Sequence, residues 1–236
     1  GSAVSNTNGT ITSQVSANVD AGFSIVSYSG SGVVATVGHG LASAPEMLIV
    51  KERTSVDNWF VYHSGNTSAP ETENLRLNLT NATADSLTYW NDTLPSSSVF
   101  TLGTTTGVNS SSDTYIAYCF HSVDGYSKVG SYTGNGNANG PFVHCGFKPA
   151  FVMLKRSDSS SSGHWVIKDS KRDESNGNTI YSMANLSNAD TDNTVEIDYL
   201  SNGFKQRSTN NVNNANASSY IFIAFAESPF KHTNAR

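Results

Sequence analysis

The sequence predicts an all-β protein built as two tandem, homologous antiparallel β-sandwich units, and three observations carry that prediction. Charge is scarce: 14% of the 236 residues are Asp, Glu, Lys or Arg, against about a quarter in an ordinary soluble domain. Ser, Thr, Asn and Gly stand in its place. Gly, Asn and Ser supply turn conformations, and β-branched Thr fits a half-exposed pleated surface, so the composition suits short strands joined by turns. Apolar residues, 37% of the chain, come in short runs bounded by such turns, with no convincing helical segment. Finally, the chain repeats itself. Tyr28-Ser29-Gly30-Ser31-Gly32 returns as Tyr132-Thr133-Gly134-Asn135-Gly136, and the run Pro45 to Lys51 returns as Pro149 to Lys155. Both echoes share one offset, since 132 − 28 = 104 and 149 − 45 = 104. Trp59-Phe60-Val61 and Trp165-Val166-Ile167 follow at 106, and Tyr115-Ile116-Ala117 and Tyr220-Ile221-Phe222 at 105. A period of this length is domain-sized, too long for a solenoid repeat.

The elements are placed in order on that frame. Gly1-Ser2 reads as a cloning scar on an excised fragment, and residues 1–20 as an extended connector: Ile11, Val15 and Val19 recur every four residues, but the Ser, Thr and Asn between them are poor helix formers. Unit 1, residues 21–124, holds strands at Phe23–Tyr28, Val33–Val37, Met47–Lys51, Trp59–Tyr62, Leu75–Leu79, Ser86–Tyr89, Val99–Leu102 and Tyr115–Phe120. Unit 2, residues 125–236, repeats most of them at Lys128–Tyr132, Phe142–His144, Phe151–Lys155, Trp165–Ile167, Ile180–Met183, Val195–Tyr199, Gly203–Gln206 and Tyr220–Phe225. The boundary falls at His121–Tyr126, where Asp124-Gly125 makes a turn. Met47-Leu48-Ile49-Val50 and Ile221-Phe222-Ile223-Ala224-Phe225 do not alternate, which predicts strands buried on both faces by a neighbouring unit or by a second subunit.

Charge and cysteine usage exclude several functions. A net charge of −5 and the lack of a basic stripe argue against nucleic acid. No apolar run approaches the length of a membrane span, so a soluble chain without membrane insertion is expected. Cys119 and Cys145 occupy non-equivalent places in the repeat and read as buried reduced thiols, with a single disulfide as the alternative.

The stretch from Asp198 to Lys205, Tyr220 to Lys231, Ala21 to Gly30, and Val37-Gly38-His39-Gly40-Leu41 before Pro45 resemble a module of bacteriophage virion and tail-fibre proteins, marine phages especially. The resemblance runs from Ala21 to the end in two copies. It implies concanavalin-like or jelly-roll sandwiches on an exposed virion surface, with other virion proteins as neighbours, and brings no defined activity.

Catalysis is not expected. The chain holds no Gly-x-Ser-x-Gly elbow, His-Glu-x-x-His pair, Cys-x-x-Cys pair or P-loop. A glycosidase needs two carboxylates a few ångströms apart; Asp57, Asp85 and Asp92, or Asp169, Asp173 and Glu174, have the chemistry but sit among turn residues. No cofactor is expected either. Ca²⁺ is the one ion with suitable ligands, in Asp190-Thr191-Asp192-Asn193, though the first-unit counterpart near Asp85-Ser86 lacks the second carboxylate.

Aromatic residues beside amides and carboxylates are the remaining chemistry, because pyranose C–H faces stack on Trp and Tyr while sugar hydroxyls take polar partners. Trp59 and Trp165 lie in apolar runs and read as core. Tyr89, Trp90, Asn91 and Asp92, at a strand-to-turn transition without an obvious repeat, are the predicted glycan platform, with Asp57 and His63 as a weaker one. The expected function is non-covalent binding of a host cell-surface glycan. A structural spacer or oligomerisation module is the alternative, and a polysaccharide-degrading enzyme the third reading.

Overall fold

The computed structural model describes residues 1–174 and 176–228. Pro229, Phe230 and Lys231, which end the resembling stretch, lie outside the described residues. The chain is all-β and antiparallel, and it parts into two compact units. Unit 1 runs to Leu77 and from Thr83 to His121; unit 2 begins at Ser122 and also takes in Asn78–Ala82. That short segment departs from the expected boundaries. Its backbone is held within unit 2, where the Lys155 ammonium donates to the Thr80 carbonyl at 3.3 Å.

Unit 1 contains β1 (Val4–Asn6), β2 (Ser13–Asn18), β3 (Phe23–Ser29), β4 (Ala35–Gly38), β5 (Met47–Glu52), β6 (Trp59–His63), β7 (Glu73–Arg76), β8 (Ala84–Asp85), α1 (Leu87–Trp90), β9 (Val99–Leu102), α2 (Thr106–Asn109) and β10 (Thr114–Phe120). Its large sheet has the order β1-β2-β3-β10-β5-β6-β7-β8, and β4 pairs with β9 as a second, two-stranded sheet. Val26, Val50, Phe60 and Tyr62 of the first pack with Val37, Phe100 and Leu102 of the second in one apolar cluster.

The segment expected as a connector is part of this unit. β2 pairs with β3 along its length and buries Ser13 and Val15. Its polar composition misleads because one buried Val and a buried hydroxyl, Ser13 Oγ to Gly38 O at 2.9 Å, are enough to seat a strand on a sheet edge that would otherwise stand open.

Unit 2 contains β11 (Ser127–Thr133), β12 (Phe142–His144), β13 (Pro149–Arg156), β14 (Trp165–Asp169), β15 (Asn178–Met183), β16 (Thr191–Leu200), β17 (Gly203–Gln206), α3 (Asn211–Asn214) and β18 (Ser219–Ala226). All eight strands form one sheet, β11-β18-β13-β14-β15-β16-β17-β12. β15 is its corner: it pairs with β14 at Val166↔Met183 and with β16 at Tyr181↔Thr191, with a register shift between Asn178 and Ile180. Such irregularities let a strand serve two layers. The core, with Val152, Leu154, Val166, Ile197, Phe204 and Phe222, fills the space between the layers. Where unit 2 has the long β16, unit 1 has α1. The expected strand at Ser86–Tyr89 is therefore a single helical turn, closed by Asn91 in the left-handed region at φ 53°.

One hydrogen-bonded device recurs in both units and explains the clearest echo in the sequence. Tyr28 and Tyr115 are cross-strand partners with stacked rings 5.2 Å apart; Tyr132 and Tyr220 repeat the pair at 4.9 Å. Tyr28 Oη donates to Val108 O and Tyr132 Oη to Asn213 O. Tyr115 Oη donates to Thr106 O and accepts from Ser110 N–H, just as Tyr220 Oη donates to Asn211 O and accepts from Ala215 N–H. The adjoining buried asparagines, Asn109 and Asn214, accept from Ser31 N–H and Asn135 N–H at 2.8 Å. Gly30 and Gly134 face the same loop so closely that a Cβ would meet the Ser110 or Ala215 carbonyl at 2.1 or 2.2 Å. Gly32 and Gly136 take positive φ, +74° and +64°. The Tyr-x-Gly-x-Gly motif is thus half of a knot whose other half lies about eighty residues away.

Met47 to Val50 and Ile221 to Ala224 are buried at every position, matching their lack of alternation. Trp165 is buried as expected, whereas Trp59 is half-buried and stacks on Tyr118 at 6.4 Å. Cys119 and Cys145 are both buried and free, and burial pushes each thiol up to about 12.

Tyr220→Phe removes one hydroxyl that pairs with two backbone groups. The expected cost is about 1–3 kcal/mol for each group left buried and unpaired, read as a lower urea midpoint with an unchanged slope. A midpoint equal to the parent's would show that the knot carries no stability.

Candidate ligand cleft

The structure separates the residues expected to form a glycan platform. Trp90 is 2% exposed. Its indole N–H donates to Glu73 O at 2.9 Å and its ring meets Tyr62 edge-on at 6.2 Å, so it is a core residue and not a stacking surface. The correction has a simple cause: α1 turns the ring inward, which adjacency to a polar turn does not reveal. Tyr89 is half-buried and packs on Phe60 at 4.8 Å. Asn91 closes the helical turn, and Asp92 alone of the four is exposed. His63 is buried, with Nδ1 accepting from Gly65 N–H at 3.1 Å. Asp57 is half-exposed and caps its neighbour, accepting from Asn58 N–H at 2.6 Å. Among the described residues no three His, Cys, Asp or Glu side chains converge as a metal site. Asp190 is ion-paired to Arg172 at 2.9 Å, and the Asn193 side chain lies outside the described residues.

A different set of polar groups converges at one end of unit 2. The connection from β14 to β15 is fixed from beneath by two fully buried side chains, Lys168 and Asn178. Asn178 Nδ2 donates to Asp169 O and Asp173 O at 3.1 and 2.9 Å. Lys168 Nζ donates to Asn178 O, Asn178 Oδ1 and Ile180 O at 3.0, 3.3 and 3.4 Å, which occupies all three ammonium protons. Asp169 Oδ1 accepts from the N–H groups of Lys171 and Arg172, and its Oδ2 pairs with Arg172 Nε at 3.1 Å. Asp173 Oδ2 accepts from Thr179 N–H. Asp169 and Asp173, two of the acids with glycosidase chemistry in the sequence, are therefore loop-builders.

Held this way, the loop walls a cleft of about 410 Å³ together with β16 and the segments flanking β13 and β18. Ser170, Lys171, Asp173, Glu174 and Asn176 of the loop line it together with Tyr199, Lys148 and Glu227. Asn176 Oδ1 accepts from Tyr199 N–H, tying the loop to β16. Two hydroxyls of this wall, Tyr199 Oη and Ser170 Oγ, are buried without a hydrogen-bond partner among the described residues. Tyr199 as a whole is 7% exposed. Burial first, then the nearby Asp169 and Asp173 carboxylates, hold its phenol far above the usual range, so it remains a protonated donor. An unpaired buried hydroxyl costs about 1–3 kcal/mol. Among the described residues the arrangement offers donors, acceptors and carboxylates but no broad aromatic platform.

The chain belongs to the family described as a domain of unknown function, DUF7483, which it matches over residues 1–229. The match spans both units. No curated protein and no solved structure matches the chain. Among the described residues no helix is long and apolar enough to cross a membrane.

Two outcomes check this account. Trp90→Ala is expected to lower stability by about 3–5 kcal/mol, as for a truncated core aromatic; a thermal melt like the parent's would restore the exposed-platform reading. The second concerns Lys168, whose ammonium is depressed by burial from 10.5 to about 7 in the folded protein. Between those values the unfolded chain binds the extra proton, so this residue's contribution to stability rises with pH above about 7. Denaturant titrations should find the parent gaining stability relative to Lys168→Met from pH 7 to 9.5, and a constant difference would contradict the assignment.

Proposed function

We propose that the protein is a bacteriophage virion-surface module of tail-fibre type that holds host-surface glycans non-covalently in the unit 2 cleft. The observation that carries this reading is the pair of buried hydroxyls of Tyr199 and Ser170, without a hydrogen-bond partner among the described residues, on side chains that line a cleft otherwise furnished with amides, carboxylates and amines; each hydroxyl is covered by its neighbours, and binding requires it to turn toward the ligand. Sugar hydroxyls both donate and accept, so they match such a lining better than an apolar or singly charged ligand does. The resemblance to virion proteins adds support, because Tyr199 and Glu227 fall in the stretches that carry it and both line this cleft. Turnover is not part of the proposal, since Asp169 and Asp173 are spent on backbone N–H groups and Arg172.

Recognition through hydrogen bonds without a stacking platform is weak, about millimolar and near 4 kcal/mol for one sugar ring, so display in several copies supplies the avidity. A glycan array probed with the multivalent protein tests the reading. Tyr199→Phe should bind the selected glycan about tenfold more weakly while melting no lower than the parent, because its hydroxyl has no hydrogen-bond partner among the described residues. Asp92→Ala should bind as the parent does. If Asp92→Ala loses binding and Tyr199→Phe keeps it, the site lies at α1; if no glycan binds, the protein is better read as a structural spacer.

A further inference from the structure

The larger cleft does not stand alone. A second cleft, about 310 Å³, is lined by Gly125, Gly146, Phe147, Ser201 and Ser228, and Lys148 and Glu227 line both. The two hollows adjoin at the Lys148–Glu227 ion pair, whose Nζ and Oε2 are 2.9 Å apart and whose side chains are 47% and 37% exposed. An exposed pair of this kind contributes at most about 1 kcal/mol, so its atoms are available to a ligand lying over it. The smaller cleft suits a chain that passes through. Gly125 and Gly146 bring bare backbone to its wall, Gly146 at φ +85° with no atom closer than 3.9 Å to where a Cβ would stand, and Phe147 supplies its apolar surface. Each hollow falls in the range of small-ligand pockets, about 300–1,000 Å³.

Charge narrows the class. Among the described residues the larger cleft carries Lys148 and Lys171 against Asp173, Glu174 and Glu227; two positive and three negative groups leave 2 − 3 = −1. Among the described residues the smaller cleft adds no charged side chain of its own beyond the shared pair. A carboxylated or sulfated sugar would therefore meet net repulsion.

We infer that the two clefts form one groove that takes an internal run of a linear, uncharged glycan across the Lys148–Glu227 pair, and not a single terminal sugar. This rests on the glycan-binding reading of the larger cleft and goes beyond it in naming chain length and charge. The shared pair sits mid-groove, where the ammonium donates to and the carboxylate accepts from ring hydroxyls of adjacent residues. Glycans confined to the larger cleft gain none of the contacts in the smaller one.

Calorimetric titration of the intact protein tests the inference with malto-, cello- and N-acetylchito-oligosaccharides of one to six units, and with oligogalacturonates of the same lengths. In any uncharged series that binds, affinity should rise at least tenfold from one unit to four and then level off, while the oligogalacturonates bind more weakly at every length. Ser201→Trp and, separately, Ser228→Trp fill the smaller cleft from exposed positions. Either should remove the gain with length and leave the shortest binding member unchanged, with thermal melts reporting that the fold is kept. Equal affinity at all lengths, a length gain that survives both tryptophans, or preference for the oligogalacturonates would overturn the groove while leaving glycan binding intact. Absence of binding by every series overturns the groove and counts against the glycan reading beneath it.

Discussion

The fold of each unit depends on a hydroxyl-to-backbone knot between two stacked tyrosines and a one-turn helix. In unit 2, Tyr132 and Tyr220 stand on neighbouring strands, and their hydroxyls satisfy Asn213 O, Asn211 O and Ala215 N–H around α3. Unit 1 does the same with Tyr28, Tyr115 and α2. A helix of four residues has no stability of its own. Its unpaired carbonyls are affordable in the interior only because buried phenols reach them, and those phenols are held well above their usual titration range by burial, so they stay donors. Asn109 and Asn214 then tie the Gly-rich turn to the same helix. The turn, the central strand pair and the returning chain are thereby fixed at one end of each sandwich.

Unit 2 spends this rigidity differently at the Lys148–Glu227 end. Its sheet continues through the corner strand β15 into β16, whereas unit 1 puts α1 and the buried Trp90 at that point. The continuation places Tyr199 against the loop that Lys168 and Asn178 support from below. A fully buried lysine is expensive, and its depressed pKa records that cost. What it achieves is a fixed Asn178, whose amide draws the Asp169 and Asp173 carbonyls inward, with Ser170, Glu174 and Asn176 left on the cleft wall. The repeated scaffold is thus common to both units, and the candidate site belongs to the part that is not repeated.

Much of the scaffold was legible in the sequence because its signals are local. Strands such as Phe23–Ser29 and Thr114–Phe120 are bounded by turn residues, Met47–Val50 shows its two-sided burial by failing to alternate, and Tyr-x-Gly-x-Gly marks the knot twice. What was missed depends on partners far along the chain. The role of Asn109 is set by Ser31 and Val33, and the burial of Trp90 by the Glu73 carbonyl and Tyr62. The N-terminal strands were missed because a polar edge strand needs little apolar surface. The cleft draws Lys148, Ser170, Lys171, Asp173, Glu174, Asn176, Tyr199 and Glu227 from four separate stretches of the chain. Asp173 and Glu174 stood out beforehand only as carboxylates, and the loop's own hydrogen bond to Thr179 occupies Asp173; Tyr199 and Glu227 stood out only through the resemblance.

The central functional claim is positional, and a crystal structure of the protein with an array-selected oligosaccharide tests it most directly. Sugar density is expected in unit 2 with a hydroxyl within hydrogen-bond distance of Tyr199 Oη or Ser170 Oγ and the chain running toward the Lys148–Glu227 pair. Density over the surface around Asp92, or over Asp57, with the unit 2 cleft holding only solvent, would contradict that claim.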